Sequence, residues 1–267
     1  CIAATHDGGV IMAYHIGTTV RPSYFVKFNK NETTADIAQT QIVSITTGYR
    51  PSCCVLKNGN YLLSAANKYS IYNSKTKSFI SQDKDFNMVT YVYDTGEGKR
   101  LKTLENGNIL LVTTPRGHIY SELVNDDREV YFAILKQATD TSQTLSIVKQ
   151  STKANIARSH TLVNNNKNMI TVVNGGFIIN WYRQIESNGG GDGKSFYRFF
   201  DNDGVAITSE IQIGSTSNIV GQVYRYAGYN GYVVTYIDMS NTTLYVQPST
   251  FVNIFTKTTL SESSVLQ

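Results

Sequence analysis

Apolar residues along this chain occur in short runs with a period of two, and Asn-Gly or Asp-Gly turns separate the runs. The phrase NGNYLLSA at residues 58–65 returns as NGNILLVT at 106–113, and looser copies are DGGVIMAY (7–14), NGGFIINW (174–181) and YNGYVVTY (229–236). Because Asn-Gly and Asp-Gly favour the backbone conformations of a tight hairpin, each copy predicts a hairpin turn that leads into a β-strand.

The turn glycines recur at a nearly constant spacing. Successive intervals are 51, 48, 68 and 56 residues for the series Gly8, Gly59, Gly107, Gly175 and Gly231. Repeats of this length are typical of architectures in which each unit buries its apolar surface against its neighbours. The spacing therefore predicts five repeated units.

Each unit contains four runs of strand length. The first run precedes the turn and the second follows it. The third run is rich in Tyr or Phe: SYFVKFN (23–29), KYSIYN (68–73), EVYFAILK (129–136), SFYRFFD (195–201) and TLYVQ (243–247). The fourth runs are QIVSIT (41–46), MVTYVYD (88–94), LSIVKQ (145–150), EIQIG (210–214) and FVNIFT (251–256). Four short antiparallel strands in about 50 residues predict one blade of a β-propeller, and no stretch has the period of a helix.

We therefore predict an all-β chain that forms one β-propeller domain over residues 1–267. Five blades of four antiparallel strands are expected at approximately 1–51, 52–98, 99–156, 157–221 and 222–267. Six blades are the alternative, because the 68-residue interval holds a further candidate turn, NNNKN, at residues 164–168.

Composition favours a β-protein that works outside the cell. Only 16% of the residues are charged and 41% are hydrophobic, so Ser, Thr, Asn, Gln and Tyr supply much of the polar surface. We expect an extracellular or cell-surface location. The net charge is +4, but the Lys and Arg residues are scattered, so we expect no nucleic-acid partner. No apolar run approaches the length of a membrane helix, so we expect no membrane insertion.

The best-defined unit combines NGGFIINW (174–181) with FFDNDG (199–204), and DGGVIMAY (7–14) follows the same pattern. This pattern resembles the β-propeller repeats of large bacterial and protist surface proteins, whose blades have a Gly-Gly-aromatic-aliphatic hairpin and an aromatic strand ending in Phe-Asp. The chain is also similar to five-bladed lectins of the tachylectin type in blade number and general build. The resemblance implies a propeller fold and assigns no site residue.

Candidates for catalysis or metal binding are few. The inner strands CIAAT, SCCVL and MITVV carry no Asp or Glu, and hydrolysis of a glycosidic bond needs two carboxylates a few ångströms apart. Asp201 and Asp203 in DNDG are a weak calcium candidate whose simpler interpretation is a strand-connecting turn. Cys1, Cys53 and Cys54 are predicted to be buried free thiols. We expect no catalytic residue, no metal and no cofactor.

Ligand contacts are expected on the loops after the second strands and on the linkers between blades, because binding residues concentrate on loops of a rigid scaffold. The candidates are Arg21, Tyr49, Arg50, Arg116, His118, Tyr182, Arg183 and Asp238. A solvated rim is the equally weighted alternative. Asn31 and Asn241 begin N-glycosylation sequons, although two sequons are no more than chance predicts in so Asn- and Thr-rich a chain.

The sequence thus predicts a non-catalytic propeller for adhesion or ligand binding, with a glycan as the expected ligand class and a surface protein as another partner. The alternative is a structural subunit or repeat cassette of a surface filament, sheath or tandem array, which would self-associate. The third hypothesis is a five-bladed glycoside hydrolase.

Overall fold

The structure is a computed structural model of the 267-residue chain, and strands dominate it. It describes residues 1–17, 22–44, 51–86, 100–113, 130–154, 170–185, 192–214, 219–226, 231–238 and 243–250. These ranges contain no α-helix, as the period of two predicts. The chain divides into two compact units, residues 1–120 with 131–152 and residues 121–130 with 153–267.

The first unit contains three antiparallel sheets of four strands each. Sheet 1 has the order β1-β2-β3-β4, formed by β1 (Ile2–Ala4), β2 (Val10–His15), β3 (Ser23–Phe28) and β4 (Ala35–Gln41). Sheet 2 has the order β5-β6-β7-β8, formed by β5 (Ser52–Val55), β6 (Tyr61–Ala65), β7 (Lys68–Asn73) and β8 (Ser78–Asp85). Sheet 3 has the order β9-β10-β11-β12, formed by β9 (Arg100–Thr103), β10 (Ile109–Thr113), β11 (Tyr131–Gln137) and β12 (Leu145–Lys153).

The second unit contains two further antiparallel sheets. Sheet 4 has the order β13-β14-β15-β16, formed by β13 (Ile170–Val173), β14 (Gly176–Ile185), β15 (Asp192–Asp201) and β16 (Ile211–Ile213). Sheet 5 shows three strands in the described ranges, β17 (Ile219–Tyr226), β18 (Gly231–Asp238) and β19 (Thr243–Thr250). The fourth strand predicted at 251–256 lies outside the described residues.

The repeated turn phrase forms the same five-residue hairpin turn in sheets 1, 2 and 3, whereas in sheet 4 Asn174 and Gly175 form a two-residue turn. In sheet 2 the amide of Gly59 donates to the Leu56 carbonyl at 2.9 Å, and Asn58 Oδ1 accepts the amide of Asn60 at 3.0 Å. Gly59 has a φ of 87°, a left-handed conformation that glycine adopts without steric cost. The phrase therefore predicted these hairpins correctly, since both the glycine and the side-chain cap act within the turn itself.

Apolar clusters lie between consecutive sheets of the first unit. Phe25 of sheet 1 packs against Tyr72 of sheet 2 with ring centroids 4.9 Å apart, and Leu63 lies in the same cluster. The adjacent residue Leu62 points to the other face of sheet 2 and packs with Leu111 of sheet 3. Sheet 2 is thus buried on both faces, which is how a propeller blade packs between its neighbours.

A similar cluster joins the two sheets of the second unit. Ile178 and Phe199 of sheet 4 pack with Val223 and Val234 of sheet 5. Within each unit, successive antiparallel sheets make apolar contacts face to face, and the chain has the all-β propeller fold that the repeats predict. The number of blades stays a prediction, because the candidate sixth turn at 164–168 lies outside the described residues.

The predicted fourth strands of the first two units are wrong. In sheet 1 the fourth strand is β4, which ends at Gln41, where the predicted run QIVSIT begins. In sheet 2 it is β8, and the predicted run at 88–94 lies outside the described residues. Both observed strands are outer strands that each have one buried residue and otherwise half-buried or exposed side chains, so they are polar and a search for apolar runs does not detect them.

Candidate functional site

A charged cluster lies where the hairpin turn of sheet 1 meets its outer strand. Lys27 Nζ donates to Asp7 Oδ2 at 2.7 Å and to Asp36 Oδ2 at 3.0 Å, and it also contacts the side-chain carbonyl of Asn29. Lys77 of sheet 2 donates to Asp36 Oδ1 at 2.7 Å. Two lysines and two carboxylates thus form one network that links the first two sheets.

The charge state of this cluster follows from its contacts. Hydrogen bonds from Lys27 and from the Thr5 hydroxyl hold the pKa of Asp7 well below its usual range. The hydrogen bond from Lys77, followed by that from Lys27, lowers the pKa of Asp36. Burial by itself would lower the pKa of Lys27, but its two carboxylate partners outweigh burial and raise that pKa.

This cluster therefore stabilises the fold and does not exchange protons near neutral pH. A general acid needs a carboxyl group with a raised pKa, and a general base needs a group that is unprotonated before it acts. Asp7 and Asp36 are both held ionised and Lys27 is held protonated. The sequence pattern contains a signal for this cluster, because Lys27 occupies an inward position of the alternating strand SYFVKFN.

A cavity of about 170 Å³ lies between the hairpin turns of sheets 2 and 3 and the turn after β11. The carboxamide of Asn58 joins its walls: Nδ2 donates to Gln137 Oε1 at 3.1 Å and to Asp140 Oδ1 at 2.9 Å. Asn60 Nδ2 donates to the Asp140 carbonyl at 3.3 Å. These bonds hold the turn after β11 against the hairpin of sheet 2, so the cavity has a defined shape.

The other polar side chains at the cavity belong to lysine, asparagine and threonine residues. Lys57 and Lys136 both line it, and neither ammonium group has an ion-pair partner among the described residues. The Lys57 methylenes lie over Gly107, which has no side chain to displace them. Sequence reasoning missed this cavity, because its walls come from three separate turns that only sheet packing brings together.

Most residues predicted to contact a ligand lie outside the described ranges, namely Arg21, Tyr49, Arg50, Arg116 and His118. The backbones of Tyr182 and Arg183 belong to β14, where they pair with Ser195 and Lys194. Asp238 is the last residue of β18 and pairs with Thr243. These eight positions stay predictions. Trp181, which precedes Tyr182 in β14, belongs to the core with 2% exposure.

Asp201 forms a local turn. Its Oδ1 accepts the backbone amides of Asp203 at 3.0 Å and of Val205 at 2.7 Å, and Gly204 has a φ of 75°. This geometry matches the strand-connecting turn that is the simpler interpretation of DNDG. No group of three His, Cys, Asp or Glu side chains within the described ranges is placed to hold a metal ion.

Asn31, which begins a predicted sequon, is exposed in the turn between β3 and β4, and Asn241 lies outside the described residues. Cys53 and Cys54 are buried free thiols as predicted, and burial raises their pKa values to about 12 and about 11. Cys1 is exposed, so the prediction of burial is wrong for that residue. Among the described residues we find no helix with the length and apolar character of a membrane span.

The chain is similar in fold to a polysaccharide lyase, an ulvan lyase, with 11% identity, coverage of 94% of this chain and 68% of the lyase, and a TM-score of 0.54. The same values hold for that lyase bound to a repeat of glucuronic acid and sulfated rhamnose. An α-L-arabinanase from Penicillium chrysogenum gives 15% identity, coverage of 76% and 63%, and a TM-score of 0.43. No protein-family model and no curated protein matches the sequence.

The likeness to the lyase contradicts the prediction of a non-catalytic propeller for adhesion or ligand binding. A solved structure that shares the fold over 94% of the chain is an enzyme, so the predictions of an adhesion module and of no enzyme activity are wrong, and the filament or cassette alternative is wrong with them. The prediction of no enzyme activity failed because a search for paired carboxylates tests only for hydrolysis. An elimination needs a proton acceptor, which a residue other than a carboxylate can supply.

Proposed function

We propose that this chain is a polysaccharide-cleaving enzyme that acts outside the cell. The observation that carries the proposal is the fold shared with a polysaccharide lyase over 94% of the chain. A propeller scaffold suits this role because it presents loops from separate blades on one rigid frame, and substrate contacts concentrate on such loops. The low charge content of 16% and the many amide and hydroxyl side chains support an extracellular location.

We propose that cleavage proceeds by elimination and not by hydrolysis. Hydrolysis needs a protonated carboxyl group opposite a second carboxylate, whereas Asp7 and Asp36, which meet at Lys27, are both held ionised. In an elimination, a base takes the proton from the sugar carbon that bears the carboxylate. The electron pair of that C–H bond forms a carbon–carbon double bond, and the glycosidic oxygen leaves with a proton from an acid.

The residues predicted to contact ligand have the side chains that this reaction requires. His118 is the candidate base, because an imidazole group exchanges protons in enzymes. Arg116, two residues earlier, is the candidate partner of the substrate carboxylate, since a guanidinium group binds a carboxylate in a bidentate manner. Arg21, Tyr49 and Arg50 belong to the same compact unit, and we propose that they line the substrate path. Tyr182, Arg183 and Asp238 belong to the other unit and stay predicted ligand contacts. The relation of this chain to the β-propeller repeats of bacterial and protist surface proteins stays a prediction.

The test is a cleavage assay with the full chain on a panel of uronic-acid-containing and neutral polysaccharides. Ultraviolet absorbance detects the conjugated double bond formed by elimination, and a reducing-end assay run in parallel detects any cleavage. We expect both signals to rise together on an acidic substrate. His118→Asn should slow the reaction by about 100-fold or more. His6→Asn is the matched control, because His6 lies exposed in the first hairpin turn.

Two results would overturn the proposal. The absence of new reducing ends from every polysaccharide in the panel would exclude a cleaving enzyme. New reducing ends without the ultraviolet signal would exclude elimination and return the chain to the hydrolase hypothesis.

A further inference from the structure

The cavity between the turns of sheets 2 and 3 has the composition of an anion site that also binds hydroxyl groups. Lys57 and Lys136 contribute two ammonium groups without an ion-pair partner among the described residues. Three other lysines of this unit are used differently. Lys27, Lys68 and Lys77 all pair with carboxylates at 2.7–3.2 Å.

Carboxamide groups surround the two lysines. The Nδ2 group of Asn58 donates two hydrogen bonds and its Oδ1 accepts one, all within the protein. Asn58 therefore shapes the cavity, and ligand binding is left to the neighbouring residues. Asn106 and Asn108 also line the cavity, and their side-chain NH₂ groups donate to no other residue in the described ranges. An amide that offers a donor and an acceptor is well suited to a sugar hydroxyl, which is both.

The size of the cavity limits the ligand. Its volume of about 170 Å³ is below the roughly 300–1,000 Å³ of sites for drug-sized molecules. A single sugar ring or a smaller anion fits such a volume. Ammonium groups beside amide groups favour a ring that carries both an anionic group and hydroxyls.

We infer that this cavity binds one acidic sugar unit, with its carboxylate or sulfate between Lys57 and Lys136 and its hydroxyls on Asn106 and Asn108. The site goes beyond the proposed cleavage reaction and shares with it only the class of ligand. Asp140 opposes the anion from the cavity wall, where its carboxylate holds Asn58 at 2.9 Å. The affinity for the acidic sugar is therefore low, which suits transient contact with a polymer.

The test is a titration of the full chain, followed by the amide NMR shifts of residues at the cavity, with sodium glucuronate, glucose 6-sulfate, glucose and sodium sulfate in turn. We expect glucuronate or glucose 6-sulfate to move the cavity signals at lower concentration than glucose or sulfate does. Lys57→Gln and Lys136→Gln should each weaken binding by about two- to fivefold, and added salt should weaken it further.

Two variants make the test sharper. Asp140→Asn keeps an oxygen for the Asn58 hydrogen bond and removes the opposing charge, so it should strengthen binding of the acidic sugar. Lys30→Gln is the matched control, because the Lys30 stem lies over Gly8 as Lys57 lies over Gly107, yet Lys30 does not line the cavity. It should leave binding unchanged.

Several outcomes would overturn the inference. Equal binding of glucose would exclude the anionic group, and equal binding of inorganic sulfate would exclude the sugar. Unchanged affinity in both lysine variants, or no shift at the cavity with any probe, would exclude the site. None of these measurements involves cleavage of a polymer, so this inference and the proposed function fail independently.

Discussion

Lys27 places an ammonium group inside the contact between sheets 1 and 2, with 4% of its surface exposed. In the β-ladder Lys27 pairs with Ile11, which lies three positions after the turn glycine Gly8. The residues that correspond to Lys27 in sheets 2, 3 and 4 are Ile71, Ile134 and Phe199, and all three are buried. The residue before the turn glycine also differs in sheet 1. It is Asp7 there, whereas the other described turns have Asn58, Asn106 and Asn174.

Because Lys27 and Asp7 both differ from the corresponding residues of the other sheets, we predict that their contributions to stability depend on each other. Asp7→Asn should destabilise the fold by about 1 kcal/mol, because Lys27 loses one charged partner while Asp7, at 53% side-chain exposure, is already partly solvated. Adding Lys27→Ile should recover that loss or exceed it, since a buried ion pair is often replaced by apolar residues without cost. Urea unfolding of the wild type, both single variants and the double variant gives the coupling free energy.

A coupling near zero would contradict this account, as it would mean that Lys27 does not depend on Asp7. Asp201→Asn is a useful control, because Asp201 accepts backbone amides at 2.7 and 3.0 Å in a turn of sheet 4 and pairs with no lysine among the described residues. It tests the loss of a turn carboxylate without the loss of an ion pair.

The same cluster predicts how stability depends on pH. Asp7 and Asp36 have lowered pKa values in the folded chain, so their contribution is complete above the unfolded value of about 4 and is lost as pH falls below it. The unfolding free energy of the wild type should therefore exceed that of Asp7→Asn at pH 7, and the difference should shrink in acid. A difference that stays constant from pH 7 to about pH 2.5 would contradict the prediction.

At the scale of single elements, the hairpin turn is the part of the fold that sequence predicts best. A turn glycine with positive φ and an Asx cap one residue earlier act within five residues, so the repeated phrase contains all that the hairpin needs. The outer strands are the opposite case. β4 and β8 are polar and are ordered by pairing with β3 and β7, so their own composition does not reveal them.

Two of these turns allow a matched experiment. Gly59 and Gly107 both have a φ of 87°, so an alanine at either position should cost about 1–2 kcal/mol in unfolding free energy. A Cβ at Gly59 would meet no atom closer than 3.7 Å, whereas one at Gly107 would lie 2.9 Å from Lys57 Cδ. Gly107→Ala should therefore also displace Lys57 and change its NMR signals, and Gly59→Ala should not. A cost below about 0.5 kcal/mol at both positions would contradict the left-handed turn.

At the scale of the whole molecule, the repeats predict the propeller fold but not the function. Fold follows from periodicity, because every unit must bury its faces against neighbours. Function depends on groups that the fold gathers from distant segments. The cavity is an example, since residues 57–58, 106–108 and 136–140 meet only after sheets 2 and 3 have packed. A search of the sequence for adjacent carboxylates or histidines does not detect a site of this kind.

Burial on both faces of a sheet gives the last prediction, because it separates a propeller from a sandwich in which each sheet has one solvated face. Leu62 and Leu63 are adjacent in β6, point to opposite faces and are both 0% exposed. Leu62→Ala and Leu63→Ala should each lower the unfolding free energy by about 2–5 kcal/mol. Val148→Ala on the outer strand β12, where the side chain is 48% exposed, should cost less than about 0.5 kcal/mol. If either leucine variant costs as little as Val148→Ala in urea unfolding, one face of sheet 2 is solvated and the propeller arrangement is excluded.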